Sequence, residues 1–403
     1  METSQLLELS QQYLMSTYAR QPVIFTRGAG AILWDNEGRK YLDFACGLAV
    51  CALGHCHPHL VEAIQKQSRE LLHVSNLYHI KPQIELAQRL VENSFADKVF
   101  FCNSGAEANE AAIKLARRYA WGKWGGQRYK IITCEKSFHG RTIATITATG
   151  QSKFQTGFSP LLEGFSYVPY NDISALEAAI DHQTIAVMLE PIQAEGGVNM
   201  PDPGYLEDVR RLCDQHHLLM ILDEVQTGIG RTGRLFGYQH HGIEPDMISL
   251  AKGLGGGVAI GALLAVDKVA QAFVPGTHAS TFGGNPLACS AALAVLDVVL
   301  QNDFLPNVQA VGQYLEHSLT QLKNKYAFIQ EIRGIGCIWG MELDRPAAPI
   351  ISACLKAGLV IVTAGEKVLR FLPPLIIGQE HVDQTIAILD GVLGESYAQE
   401  VHQ

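Results

Sequence analysis

Between residues 95 and 270, short apolar runs alternate with segments whose apolar residues recur at helical spacing. The runs predict strands at Lys98–Cys102, Tyr129–Cys134, Phe165–Val168, Ile185–Leu189, Leu218–Leu222, Met247–Leu250 and Ala259–Val266. Several are unbroken Val, Ile and Leu with no polar alternation, the pattern of strands covered on both faces. Between them, Ala106–Tyr119 sets Ala108, Ala111, Ala112, Leu115 and Tyr119 on one side of a helix, and Asp172–Asp181 and Pro203–His217 read likewise. Alternating strands and helices predict an α/β fold with a central, mostly parallel sheet and helices on both faces.

The ends follow a different pattern. Residues 13–45 hold short strand-like pieces around Trp34-Asp-Asn-Glu-Gly-Arg39, a hairpin signal. After Pro286 come a long helical stretch, the glycine-interrupted run Ile329–Leu343, and a helix near Ile350–Ala357. Strands at Leu359–Val362 and Val368–Leu372 and a last helix near Gln379–Leu393 complete the chain. This predicts a smaller α+β domain built from both termini (1–57 and 286–403) around a large α/β domain (58–285).

Composition narrows the function. Of 403 residues, 47% are hydrophobic and 18% charged, which excludes wholesale disorder. The 31 basic and 40 acidic side chains leave a net charge of −9, with no basic block to answer a phosphate backbone. Nine scattered cysteines without a C-x-x-C pair fit reduced thiols. The first residues lack the pattern of a secretory signal, and the longest apolar stretch, Leu254 to Val266, is glycine-rich and too short to span a bilayer. The expectation is a soluble cytoplasmic protein that binds neither nucleic acid nor membrane.

In open parallel sheets, ligands gather beyond the carboxyl ends of the strands. Four such places carry candidate chemistry. After the first run, Ser104-Gly105-Ala106 turns into a helix, where small residues let backbone N–H groups approach an oxyanion. Ser104 followed by Glu107 is equally a capping box. The run Leu218–Leu222 delivers Asp223, which could cap a loop, bind Mg²⁺ or hold a protonated ring nitrogen. Lys252 follows another run. An ordinary lysine titrates at ~10.4, and partial burial would make its amine nucleophilic near neutrality. Finally, Thr277-His-Ala-Ser-Thr-Phe-Gly-Gly-Asn-Pro286 offers the hydroxyls of Ser280 and Thr281, or ordinary turn chemistry.

Together these places suit pyridoxal phosphate, which needs an amine for its aldehyde, donors for its phosphate and an acid at its ring nitrogen. A nicotinamide site fits poorly, because Val258 stands where the glycine fingerprint needs its third glycine. Cys51-Ala-Leu-Gly-His-Cys-His-Pro-His59 resembles a metal cluster in composition only. Alternating turn positions do not converge on one ion, and no metal is expected.

The motifs Asn103-Ser-Gly-Ala-Glu-Ala-Asn-Glu110, Phe138-His-Gly-Arg-Thr142, Glu190-Pro-Ile-Gln193, Leu222-Asp-Glu-Val-Gln-Thr-Gly228, Ala251-Lys-Gly-Leu-Gly-Gly256 and Ser280-Thr-Phe-Gly-Gly-Asn-Pro286 carry a resemblance. From Tyr18 to about Pro374 the chain resembles the class III pyridoxal-phosphate aminotransferases, enzymes of fold-type I. The resemblance implies that Ser104, Gly105 and Ala106 meet the cofactor phosphate and that Phe138 stacks on its ring. Asp223 would pair with the ring nitrogen, with Glu224, Val225 and Gln226 beside it, and Lys252 would carry the cofactor. Thr281 would reach the cofactor phosphate of a second subunit, implying a homodimer with shared sites. Tyr18, Arg141 and Ser280 look like substrate-binding positions. Arg370 resembles the arginine that holds the carboxylate of glutamate or 2-oxoglutarate, and Glu195 the carboxylate that masks it while the other donor is bound. The implied reaction is ping-pong transamination of N2-acetyl-L-ornithine with 2-oxoglutarate, in arginine biosynthesis. Leu48, where ornithine-specific members tend to carry tyrosine, favours an acylated donor. Succinylornithine, ornithine, 4-aminobutyrate and N-succinyl-diaminopimelate stay open as donors, as does a cofactor-binding module without turnover.

Overall fold

The computed structural model describes residues 1–401. Its centre is a seven-stranded sheet whose strands are β4 (Lys98–Cys102), β5 (Lys130–Cys134), β6 (Phe165–Val168), β7 (Thr184–Leu189), β8 (Leu219–Asp223), β9 (Met247–Leu250) and β10 (Gly261–Ala265). The order is β4-β10-β9-β8-β7-β5-β6. All pairs from β9 to β6 are parallel, and β10 alone runs against both its neighbours. Every residue of β7 and β8 is buried, which is why these strands carry no polar alternation. The sheet is sandwiched between apolar clusters. Leu206, Val209 and Leu212 of the helix Tyr205–His216 pack in one, and Ala111, Ala112, Leu115 and Ala116 of the helix Gly105–Trp124 in another.

This topology brings the chemistry to one edge. The carboxyl ends of the six parallel strands lie there, and the antiparallel β10 begins at the same edge. Gly261 pairs with Cys102, so the chain entering β10 passes beside Ser104. A Cβ on Gly261 would sit 2.4 Å from the Ser104 carbonyl oxygen, and only glycine permits that approach.

Two smaller sheets complete the fold. The strands β1 (Phe25–Ala29), β2 (Ile32–Asp35) and β3 (Lys40–Asp43) form an antiparallel meander. The second sheet has the order β11-β12-β15-β14, from β11 (Ile329–Ile335), β12 (Ile338–Leu343), β14 (Val362–Ala364) and β15 (Val368–Phe371). The sequence predicts one strand over Leu359–Val362, and here the structure differs. Leu359–Val360, β13, pairs in parallel with β3. Ile361 then carries the chain across, and Val362 pairs with Arg370 in the other sheet. Helices at Thr3–Tyr13, Pro58–Glu70 and Lys81–Glu92 also escape the sequence reading. Among the described residues no single helix is long and apolar enough to cross a membrane.

Candidate active site

A cavity of about 450 Å³ opens at the carboxyl edge of the central sheet. Its wall gathers Ser104, Gly105, Ala106, Phe138, Arg141, Asp223, Val225, Gln226 and Lys252, nine of the residues singled out in the sequence.

The phosphate candidate comes first. Ser104 is the N-cap of the helix Gly105–Trp124, and its hydroxyl accepts from the Glu107 N–H at 3.2 Å. The cap is made, and the first turn of the helix faces a cavity. Gly105 must be glycine, since a Cβ there would lie 2.8 Å from Cγ1 of Val225.

Asp223 ends β8 with 4% of its surface exposed. Its Oδ2 accepts from Asn109 Nδ2 at 2.7 Å and from His139 Nδ1 at 2.8 Å, while Oδ1 accepts from the Val225 N–H at 3.0 Å. Those donors are what a buried carboxylate requires. They also fix its orientation toward the cavity wall. Asn109 sits one turn into the helix, and among the described residues the Nε2 of the buried His139 has no partner.

Lys252 stands two residues beyond β9 with φ +45°, a left-handed conformation forced on a non-glycine residue. Burial pushes its ammonium down to about 8, Arg370 adding to the effect, against the pull of Asp223, Glu195 and Glu190. An amine poised there is a nucleophile near neutral pH. Glu190 follows β7 directly, much as Asp223 ends β8. Its carboxylate accepts from the N–H groups of Phe138 (3.0 Å) and Ala194 (3.3 Å), and burial raises it to about 7.

The arginines differ in setting. Arg370, on β15, is 1% exposed. Its Nη2 donates to Glu195 Oε2 at 2.7 Å and to the Thr363 carbonyl at 3.1 Å, and its Nη1 donates to Gln226 Oε1 at 3.2 Å. Arg141 is exposed at the mouth, its guanidinium 3.9 Å from the centre of the Phe154 ring and 5.5 Å from that of Phe138.

Six predicted residues fall outside the cavity wall: Arg370 and its partner Glu195, and four more. Tyr18 is 73% exposed in an irregular segment, with Arg20 over its ring. Glu224 turns away from the cavity, and Thr227 and the N–H groups of Gly237 and Tyr238 engage its carboxylate, so it ties the following loop. Ser280 and Thr281 lie in a separate cleft with Ser75, Asn76 and Gln83. Ser280 Oγ still accepts from Asn103 Nδ2 at 3.3 Å. Among the described residues no cluster of three or more His, Cys, Asp or Glu side chains is placed to hold a metal.

The donor set fits pyridoxal phosphate: a helix start for the phosphate, a fixed carboxylate for the ring nitrogen and a low-lying lysine amine in one cavity. Fold and site together define a fold-type I pyridoxal-phosphate-dependent transferase. The chain belongs to the class-III aminotransferase family, whose model matches residues 14–393. It is 55% identical to the acetylornithine aminotransferase of Caldanaerobacter subterraneus subsp. tengcongensis over 97% of this chain and 99% of that one. The ornithine aminotransferase structure from Toxoplasma gondii ME49 superposes with a TM-score of 0.96 at 33% identity, covering 99% of this chain and 96% of that one. The acetylornithine aminotransferase structure from Elizabethkingia anophelis gives 0.88 at 33%, covering 98% and 100%.

Proposed function

We propose that the protein transfers the terminal amino group of N2-acetyl-L-ornithine to 2-oxoglutarate, giving N-acetyl-L-glutamate 5-semialdehyde and L-glutamate, a step of arginine biosynthesis. The single observation that carries the transamination is the pairing, in one cavity, of a lysine amine brought down to about 8 with a buried, fully bonded aspartate. The choice of donor rests on the 55% identity to an acetylornithine aminotransferase and on Leu48.

Pyridoxal phosphate bound there supplies a carbonyl that takes the amino group and a ring that accepts electrons. The first-turn N–H groups of Gly105 and Ala106 would hold its phosphate, and Phe138 and Val225 would hold its ring. Asp223, held by Asn109 and His139, keeps the proton on the ring nitrogen. Gln226 would serve the phenolic oxygen. Lys252 anchors the group and then moves the proton at the substrate carbon that bears nitrogen. Arg141 receives the distal carboxylate of the substrates. Arg370 receives the carboxylate next to the reacting carbon of glutamate or 2-oxoglutarate, and Glu195 covers it while the ω-amino donor is bound. Thr281 reaches the cofactor phosphate of the neighbouring subunit in a homodimer, and Ser280 is a substrate-binding position. The functional division places residues 58–285 around the cofactor, with 1–57 and 286–403 forming the smaller domain, in a cytoplasmic enzyme.

The test is single-turnover reaction of the holoenzyme with N2-acetyl-L-ornithine, N2-succinylornithine, ornithine and 4-aminobutyrate, followed by the cofactor's visible absorbance. The expected order puts N2-acetyl-L-ornithine first. Faster reaction of another donor overturns the donor assignment, and no spectral change with any donor overturns the transamination.

A further inference from the structure

The chemistry above gives Glu190 no task, yet its carboxylate lines the cavity with only 5% of the residue exposed. A carboxylate buried so deeply must be held by donors, and the donors show what it connects. The backbone is fixed by Tyr170, whose hydroxyl donates to the carbonyls of Glu190 (3.1 Å) and Pro191 (2.9 Å). Tyr170 is braced in turn by the ring of Tyr205, their centres 5.1 Å apart. The side chain then spans two segments. Oε1 accepts from the Phe138 N–H at 3.0 Å, and Oε2 accepts from the Ala194 N–H at 3.3 Å. Among the described residues neither N–H has another acceptor.

Both segments carry groups that matter to the site. The Phe138 ring lines the cavity and stands edge-on to Phe154 at 5.6 Å, and His139 beside it holds Asp223. Ala194 precedes Glu195, the partner of Arg370, in the hairpin that the paired backbone bonds of Gln193 and Asn199 close. A second tie joins the same segments outside the cavity wall, where Gln193 Nε2 donates to the Glu135 carbonyl at 2.8 Å. Without Glu190 the two segments would therefore stay near each other and lose their alignment at the cavity.

We propose that Glu190 is a positioning residue, a single carboxylate that sets the Phe138 ring and the Glu195 hairpin relative to each other. The inference rests on the roles proposed above for Phe138 and Glu195. A carboxylate suits this task because it offers one acceptor to each N–H. Glutamine has one oxygen and would turn its NH2 toward the other donor, and aspartate keeps both oxygens but is one methylene short.

The experiment compares the wild type with Glu190→Gln, Glu190→Asp and Glu190→Ala at pH 8, where the native carboxyl is mostly ionised. Hydrogen exchange of the holoenzyme, read by peptide mass, should quicken about fivefold in the peptides carrying Phe138 and Ala194 in all three variants. Apoenzyme titrated with pyridoxal phosphate should bind about tenfold more weakly, the effect of losing a hydrogen bond to a charged group. The acylornithine half-reaction should lose about threefold more than the glutamate half-reaction, through a Glu195 that is less firmly held. Glu190→Gln, isosteric with the native side chain, carries the test if Glu190→Ala does not fold. Exchange, cofactor binding and half-reaction ratio all unchanged, a change confined to one segment, or wild-type values in Glu190→Asp would each overturn the proposal. The last of these would mark a role for the charge alone. Wild-type protein without a spectral change on any donor would instead overturn the proposed function, and exchange and cofactor binding, which need no turnover, would still decide the role of Glu190.

Discussion

Lys252 and Glu190 are displaced from their ordinary proton affinities by the same cause acting on opposite charges. Burial disfavours the ammonium and the carboxylate alike, so the lysine moves down to about 8 and the glutamate up to about 7. For Lys252 the free amine is the reactive form. Capture of pyridoxal phosphate by the apoenzyme should therefore speed up roughly tenfold per pH unit below about 8 and level off above it. A rate still climbing at pH 10 would mark an ordinary lysine. Lys252→Ala should bind the cofactor without borohydride-trappable attachment and lose turnover by several orders of magnitude. For Glu190 the sign is reversed. The folded state holds its proton up to about 7 and the unfolded chain releases it near 4.5. The folded protein thus binds more protons in that window, and stability falls as pH rises through it. Apoenzyme melting should show this slope diminished in Glu190→Gln, and identical slopes in both proteins would refute it. Asp223 is legible in the sequence because a carboxylate ends an unbroken apolar run. Glu190 carries the same signature after β7 and passes unread as part of a motif. Asn109 and His139 leave weaker traces, since an amide one turn into a helix becomes informative only when the fold sets it against β8.

At the scale of elements, the segment carrying Glu195 is a tight hairpin closed by paired backbone bonds between Gln193 and Asn199. A strand far away in sequence holds it. Arg333 on β11 donates through Nε to the carbonyls of Gly197 (3.1 Å) and Val198 (3.2 Å) and through Nη2 to Gly197 at 2.7 Å. Glu331 and Glu342 engage its other terminal nitrogen, so the guanidinium is locked on both sides. If Glu195 masks Arg370 while the ω-amino donor binds, Glu195→Ala should damage the acylornithine half-reaction about tenfold more than the glutamate half-reaction. Arg333→Ala should shift the same ratio by a few fold in the same direction through a looser hairpin, with Arg333→Lys in between. Half-reactions measured separately by cofactor absorbance give the ratio, and equal losses in both would remove the gate. Sequence periodicity found the seven central strands to within a residue or two; β7, β8, β9 and β10 are uninterrupted buried runs, while β4 and β6, partly exposed, still carry short apolar or aromatic runs. It could not divide residues 359–364 between two sheets, since apolar character reports burial and not the partner strand. The exposed helix Thr3–Tyr13, with no buried residue, offered no apolar stripe to find.

On the scale of the molecule, Thr281 poses a question that one chain cannot answer. It lies exposed in a cleft apart from the cavity that holds Lys252, while the family resemblance assigns it to a cofactor phosphate. Both statements hold if a second copy supplies Thr281 across a two-fold axis, each chain completing the other's site. Complementation makes this testable with two inactive variants, Lys252→Ala and Thr281→Glu. In a hybrid dimer with shared sites, one cavity takes both lesions and the other takes neither. Random reassortment of an equal mixture makes about half of the dimers hybrid, each with one intact site, so activity should return to about a quarter of the wild-type rate. If each chain builds its site alone, every cavity keeps one lesion and the mixture stays inactive. Sedimentation of the unmixed protein supplies the independent check, since shared sites require a particle of twice the 44.0 kDa chain mass. A dimer that forms and yet shows no recovery on mixing would separate association from site sharing, and would leave Thr281 a surface residue of its own cleft.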